Sequence, residues 1–205
     1  MSLWAFEEGC WALGRGLVCG VDEAGAGPLA GRVYAGAVIL PRYLKLEGLI
    51  DSKQVSPKKR EILFDQICAQ AVAWAVAWVE PDEIDEIDIL NSRIKAMDLA
   101  VRRLTPFPDH VLVDGNRDQG SRYALTFSHE TIIQGDSRSA SIAAASILAK
   151  VSRDRHMLDM AKLYPEYQFE KHKGYGTKLH YEMLDQYGPS PIHRRSFLKK
   201  WERKQ

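Results

Sequence analysis

Four acidic residues fall where short apolar runs end. Asp22 and Glu23 follow Leu17 to Val21 directly, Asp114 closes His110 to Val113, and Asp136 comes after Thr131 to Gln134. Strand ends are where α/β sheets place ligand sites. Carboxylates gathered in one place repel and raise one another's pKa unless cations are present. Magnesium prefers oxygen ligands and keeps several waters, and a pair of such ions can hold the attacking and leaving oxygens of a phosphodiester. Neighbours on a regular strand point to opposite faces, so Asp22 and Glu23 are expected to converge only through a bend, which Gly25 and Gly27 permit. Each acid also has a plainer reading: Asp114-Gly115 and Asp136-Ser137 suit turns, and Asp136 suits a helix cap. No His/Cys cluster competes for zinc, and no glycine-rich loop ends in Lys-Ser or Lys-Thr.

The elements that must position these acids follow from periodicity and punctuation. Leu17 to Val21 and Arg32 to Leu40 read as an antiparallel pair joined across Gly25-Ala26-Gly27-Pro28 and Gly31. Ser56-Pro57 opens a helix to about Gln70, with Leu63, Ile67 and Ala71 on one face. Ala71 to Glu80 reads as a strand. A single helix beyond Pro81 carries Leu90, Ile94, Met97, Val101 and Leu104. His110 to Asp114 and Thr131 to Gln134 are further strands. A long helix from about Ser139 to Leu163 presents Ile142, Ser146, Ala149 and Arg153, mostly small residues suited to close packing on a sheet. Helices near Lys178 to Tyr187 and Arg194 to Trp201 finish the chain. The class is α/β with a mixed sheet flanked by helices and a helical tail.

The chain has 205 residues, 45% of them apolar and 27% charged, which excludes collagenous, coiled-coil and disordered classes. Its longest apolar run, Ala71 to Val79, has nine residues and is too short to cross a bilayer. The first residues lack the pattern of a secretory signal, and three cysteines with no C-x-x-C pair fit a reducing compartment, so a cytoplasmic protein is expected. The net charge of +1 hides an asymmetry: Lys150 to Gln205 carries +6 and the remainder −5. A basic carboxy-terminal segment beside an acidic body suits a polyanion on one side and cations on the other; two unequal solvated surfaces fit as well.

Taken together, the segments Gly20-Val-Asp-Glu-Ala-Gly-Ala-Gly-Pro-Leu-Ala-Gly31, Asp51-Ser52-Lys53, Val113-Asp114-Gly115, Gly135-Asp136, Ala143 to Lys150 with Arg153-Asp154, and His172-Lys173-Gly174-Tyr175-Gly176-Thr177 resemble bacterial ribonuclease HII, the type 2 ribonuclease H family. The resemblance runs from about Leu17 to Gly188. It implies a ribonuclease H-like catalytic core over 1–163 and a basic helical appendage over 164–205. It also implies an endoribonuclease that hydrolyses the RNA strand of RNA/DNA hybrids and cuts at ribonucleotides embedded in duplex DNA, by a two-metal mechanism leaving 5′-phosphate and 3′-hydroxyl ends. Asp22, Glu23, Asp114 and Asp136 align with the family's catalytic, metal-binding carboxylates, with Mg2+ or Mn2+ as the cofactor. Gly25, Ala26, Gly27, Lys53 and Tyr175 match substrate-binding positions, Tyr175 beside the ribose at an RNA-to-DNA junction. Arg153-Asp154 is expected to be a local ion pair. Where most members read Gly-Arg-Gly this chain has Gly25-Ala26-Gly27, which removes a guanidinium from the phosphate. A monomer is expected. The rival readings are another ribonuclease H-like two-metal nuclease, such as a DNA junction resolvase, and a non-catalytic hybrid-binding module.

Overall fold

The computed structural model describes residues 2–49 and 56–203. Five strands form one mixed sheet: β1 (Val18–Ala24), β2 (Val33–Ile39), β3 (Ala73–Val79), β4 (His110–Asp114) and β5 (His129–Ile132), in the order β3-β2-β1-β4-β5. β1 pairs antiparallel with β2, and β2 with β3; β4 joins β1 in parallel and β5 joins β4 in parallel. β1 and β2 are the expected pair. Two expectations shift. β1 runs on through Asp22 and Glu23, which pair with Gly36 and Ala35, so the strand does not leave the sheet at the acids. β5 begins at His129 and ends at Ile132, because Gln134 adopts a left-handed conformation (φ 56°) that ends extended pairing.

Eight helices are present among the described residues. α1 (Ala5–Ala12) was not expected; α2 (Pro57–Gln70) starts at Ser56, whose hydroxyl caps it by accepting from Lys59 N–H. The single helix expected after Pro81 is two, α3 (Pro81–Ile87) and α4 (Ile89–Arg102). The break falls at Asp88, which takes φ 68° and whose carboxylate caps α4 by accepting from Asn91 N–H at 3.0 Å. α5 (Ala140–Leu163) is the long helix, followed by α6 (Phe169–His172), α7 (Lys178–Tyr187) and α8 (Arg195–Glu202).

α4 covers one face of the sheet and α5 the other. The α5 face depends on missing side chains. A Cβ on Gly20 would lie 2.1 Å from the Ser141 carbonyl carbon, and one on Gly36 would lie 2.5 Å from the Ala145 oxygen. The small stripe of α5 therefore rests directly on the backbone of β1 and β2, which fixes how far that helix stands from the strand ends. No described helix is long and apolar enough to cross a membrane.

The carboxy-terminal segment is stitched to the turn after β1. Leu29 N–H donates to Gly174 O, Gly31 N–H to Ile192 O, and Arg194 N–H to Leu29 O, each at 2.8 Å. Beneath these links lie three buried histidines. His172 and His180 stack with ring centroids 4.3 Å apart. His180 Nδ1 lies 3.0 Å from the Tyr175 carbonyl, its Nε2 lies 2.9 Å from His193 Nε2, and His193 Nδ1 accepts from Ser190 N–H at 2.9 Å. A carbonyl at one end and an N–H at the other leave one arrangement of protons: His180 donates to Tyr175, His193 donates to His180, and both rings are neutral. Burial, then the neighbouring imidazole, lowers His180 to about 4 and His193 to about 3.

Because the unfolded chain protonates these rings near their ordinary 6.5 while the folded chain does not, unfolding takes up protons below that pH. Their contribution is whole above pH 6.5 and declines as pH falls toward 4. Denaturant titrations across that window are expected to show a slope of about two protons for the pair. His180→Gln in the same buffers should be less stable at pH 7 and should flatten the slope by about one proton.

Candidate active site

The site is built where β4 stops. Val21 is level with Val113, so the next residues, Asp22 and Asp114, lie side by side on adjacent parallel strands facing α5. Glu23 has no strand partner on the β4 side, and a cavity of about 500 Å3 there is lined by Asp22, Glu23, Asp114 and Asp136 together. Both neighbours reach it from opposite faces of a strand that stays regular. The expected bend is not what brings them together; the earlier end of β4 is.

Each acid is held differently. Asp22 is 6% exposed; its Oδ1 accepts from Glu23 N–H at 2.7 Å and its carboxylate also meets the Ser146 hydroxyl of α5. Burial first, then the charges of Glu23 and Asp114, push its pKa well above the ordinary carboxyl value. Glu23 turns to the α4 face, where Arg93 Nη2 lies 2.5 Å from Oε1; Oε2 is buried with no hydrogen-bond partner. Burial still raises its pKa although the guanidinium opposes this. Asp136 sits in a 3-10 turn, Gly135–Ser137, and donates its N–H to Asp114 Oδ1 at 3.2 Å.

An oxygen-only donor set, desolvated and mutually repelling, fits hard divalent cations and offers nothing that prefers a soft one. The set is looser than one ion's shell. Among the described residues, the one group of three His, Cys, Asp or Glu donors lying within 4.8 Å of one another is elsewhere.

The same cavity is lined by Gly25, Ala26, Gly27, Lys150 and Tyr175, and a Cβ on Gly27 would lie 4.0 Å from the Tyr175 ring. Tyr175 is 45% exposed. The Arg153 guanidinium carbon stands 5.4 Å from its ring centroid. Arg153 is buried and donates to Lys173 O at 2.7 Å, not to Asp154, so the expected local pair is replaced by support for the loop that carries Tyr175. Gly25, at φ 93°, leaves room for this arginine, whose Nε would lie 2.3 Å from a Cβ there. Lys53, with Asp51 and Ser52, lies outside the described residues.

Sequence reasoning missed two residues. Arg93 was hidden in an amphipathic helix beside Leu90 and Ile94. Arg194 was counted as tail charge, yet it is fully buried and donates to four carbonyls of the turn: Gly25 at 2.7 Å, Ala26 at 3.2 Å, Pro28 at 2.9 Å and Gly31 at 2.9 Å. Burial, then repulsion from Arg153, lowers its pKa to about 9, so it stays charged at neutral pH. With the carbonyls of the turn drawn inward to one cation, its shape is set from the other end of the chain. No sequence signal separates Arg194 from Arg195 beside it.

The family model for Ribonuclease HII matches residues 19–200. The Ribonuclease HII of Caldicellulosiruptor bescii is 53% identical over 198 residues, covering 97% of this chain and 94% of that one. Among solved structures, the ribonuclease H2 of Pyrococcus horikoshii superposes with a TM-score of 0.74 at 30% identity, covering 91% of this chain and 97% of that one. A Bst-RNase HIII in complex with Mn2+ shares the fold, with a TM-score of 0.66 at 16% identity over 88% of this chain and 67% of that one.

Arg194→Lys keeps the charge but cannot span four carbonyls. It is expected to cost about 3 kcal/mol in denaturant unfolding. Fluorescence anisotropy in chelator should show weaker binding of a hybrid duplex than wild type, because the turn is no longer held in place.

Proposed function

The chain belongs to the ribonuclease HII family and is a ribonuclease H type 2 endoribonuclease, and from that premise we propose that Asp22, Glu23, Asp114 and Asp136 hold its divalent cations, Mg2+ or Mn2+. The observation that carries this reading is one cavity lined at once by four carboxylates, a glycine-rich turn and an exposed aromatic ring. Neither a junction resolvase nor a non-catalytic binding module is favoured by the family match.

Bound cations supply charge neutralisation and Lewis acidity for in-line displacement at a phosphodiester. The chain's own groups do the rest. Glu23 N–H and the Ser146 hydroxyl fix Asp22 in one orientation beside Asp114. Arg93 holds Glu23 from behind, so that carboxylate is shared between a guanidinium and the cavity. Tyr175 offers a flat face to a ribose, and the main chain of Gly25 and Gly27 approaches a 2′-hydroxyl, the group that separates RNA from DNA. Lys150 and Lys53 meet phosphates of the substrate.

On this reading the substrates are RNA/DNA hybrids and duplex DNA with embedded ribonucleotides, and the products carry 5′-phosphate and 3′-hydroxyl ends. Residues 1–163 carry the chemistry while 164–205 supply Tyr175 and the arginine that shapes the turn. The protein acts as a monomer in the cytoplasm.

A duplex holding one ribonucleotide is expected to be cut in Mg2+ or Mn2+ and left whole in chelator. Asp22→Asn should lower kcat by at least about 100-fold. The same variant should melt no lower than wild type in chelator, since it removes a charge that burial disfavours. Cutting of an all-DNA junction, or unchanged turnover in Asp22→Asn, would count against the assignment.

Ala26 stands half-exposed at the cavity mouth with its carbonyl tied to Arg194. Ala26→Arg is expected to lower KM for the junction substrate and to steepen its salt dependence by about one phosphate contact. An unchanged KM and salt slope would show that the missing guanidinium does not limit this enzyme.

A further inference from the structure

A second group of ligating side chains sits at the opposite end of β4. Cys10 from α1, His110 at the start of β4 and Glu130 on β5 place one sulfur, nitrogen or oxygen donor each within 4.8 Å of one another. His110 and Asp114 share a face of the same strand, four residues apart, or about 13 Å. Cys10 and His110 are each 4% exposed, while Glu130 is open to solvent, which leaves an entry path.

The state of His110 makes this more than proximity. Its Nδ1 lies 2.8 Å from Ser128 Oγ, whereas Nε2 is buried and has no hydrogen-bond partner. With Nδ1–H donating to the serine, Nε2 carries a bare lone pair. A metal-ligating histidine needs that arrangement, its far nitrogen donating to an outer partner that fixes tautomer and ring orientation. Burial lowers the His110 pKa, with Arg15 and His129 adding to the effect, so the ring is neutral at pH 7. An orphaned buried nitrogen is costly, and a bound cation removes that cost.

We infer that Cys10, His110 and Glu130 form a second cation site, one that takes Zn2+ with a water as fourth ligand. Thiolate, imidazole and one carboxylate match zinc's preferences, and the two anionic ligands neutralise the ion. Magnesium would decline the sulfur and nitrogen. Donors around tetrahedral zinc stand about 3.5 Å apart, so closure asks for side-chain adjustment only. The Cys10 thiol faces Glu7, Arg15 and Glu130, and burial raises its pKa. Zinc must displace that proton and the Arg15 contact, so affinity rises with pH. Filling the site ties α1 to β4 and β5. The assignment is independent of the carboxylate cavity.

The test is a Co2+ titration of the full-length, metal-free protein, followed by displacement with Zn2+. One cobalt should bind with thiolate-to-metal charge-transfer absorption in the near ultraviolet, which an oxygen-only site cannot give. The band should persist in Asp114→Asn and vanish in Cys10→Ser, whose folding is checked by circular dichroism. Ser128→Ala should weaken binding about tenfold, and Glu130→Gln should weaken it while keeping the band. Zn2+ should raise the Tm of wild type more than that of Cys10→Ser. Absence of a thiolate band at excess cobalt, or its survival in Cys10→Ser, would overturn the inference. A Tm rise equal in both proteins would do the same.

Discussion

Repulsion among buried carboxylates governs the architecture around the active end of the sheet. Asp22 beside Asp114 on parallel strands, with Glu23 next in line, concentrates negative charge where burial already penalises it. A fold can hold such a group only with rigid support and some opposite charge. Both are present. Glu23 N–H and Ser146 anchor Asp22, Asp136 N–H meets Asp114, and Arg93 reaches Glu23 from the far face. Arg93 relieves only one member of the set, and the pKa of Asp22 remains raised. The repulsion that remains is of the kind an opposite charge between the carboxylates would relieve.

That geometry is maintained by contacts that contain no functional group. Gly20 and Gly36 let α5 lie against the backbone of β1 and β2, which brings Ser146 within reach of Asp22. Any side chain at those glycines would lift the helix and move the hydroxyl away. Close packing of small residues thus decides the placement of polar ones, because a dense interior transmits a displacement instead of absorbing it.

The carboxy-terminal segment belongs to the site as much as the sheet does. Arg194 gathers the carbonyls of the glycine-rich turn, Arg153 supports Tyr175, and the neutral histidine chain fixes the Tyr175 carbonyl from below. Arginines that a sequence count registers only as charge, and histidines held neutral, therefore act here mainly through hydrogen-bond geometry. The cavity is assembled from both ends of the chain, with Asp22 and Glu23 from β1 and Tyr175 from the carboxy-terminal segment among its lining.

The sequence by itself determined the elements and the acids. Apolar runs followed by Asp22, Asp114 and Asp136, the small stripe Ile142, Ser146, Ala149 and Arg153, and the cap at Ser56 are local patterns, and local patterns are legible because they depend on neighbours within a turn or a strand. The break at Asp88 and the early end of β5 at Ile132 were not legible, since a left-handed Asp or Gln leaves no periodic trace. Only the tertiary structure decided how Asp22 and Glu23 come to share a cavity: β4 ends level with Asp22 while β1 runs on to Ala24, so no bend in β1 is needed. It alone separated Arg194 from Arg195, brought Arg93 to Glu23, and set Cys10 against His110 and Glu130. Those pairings join residues far apart in the chain, and their partners are fixed by helix-on-sheet packing and strand order, which no single window of sequence contains.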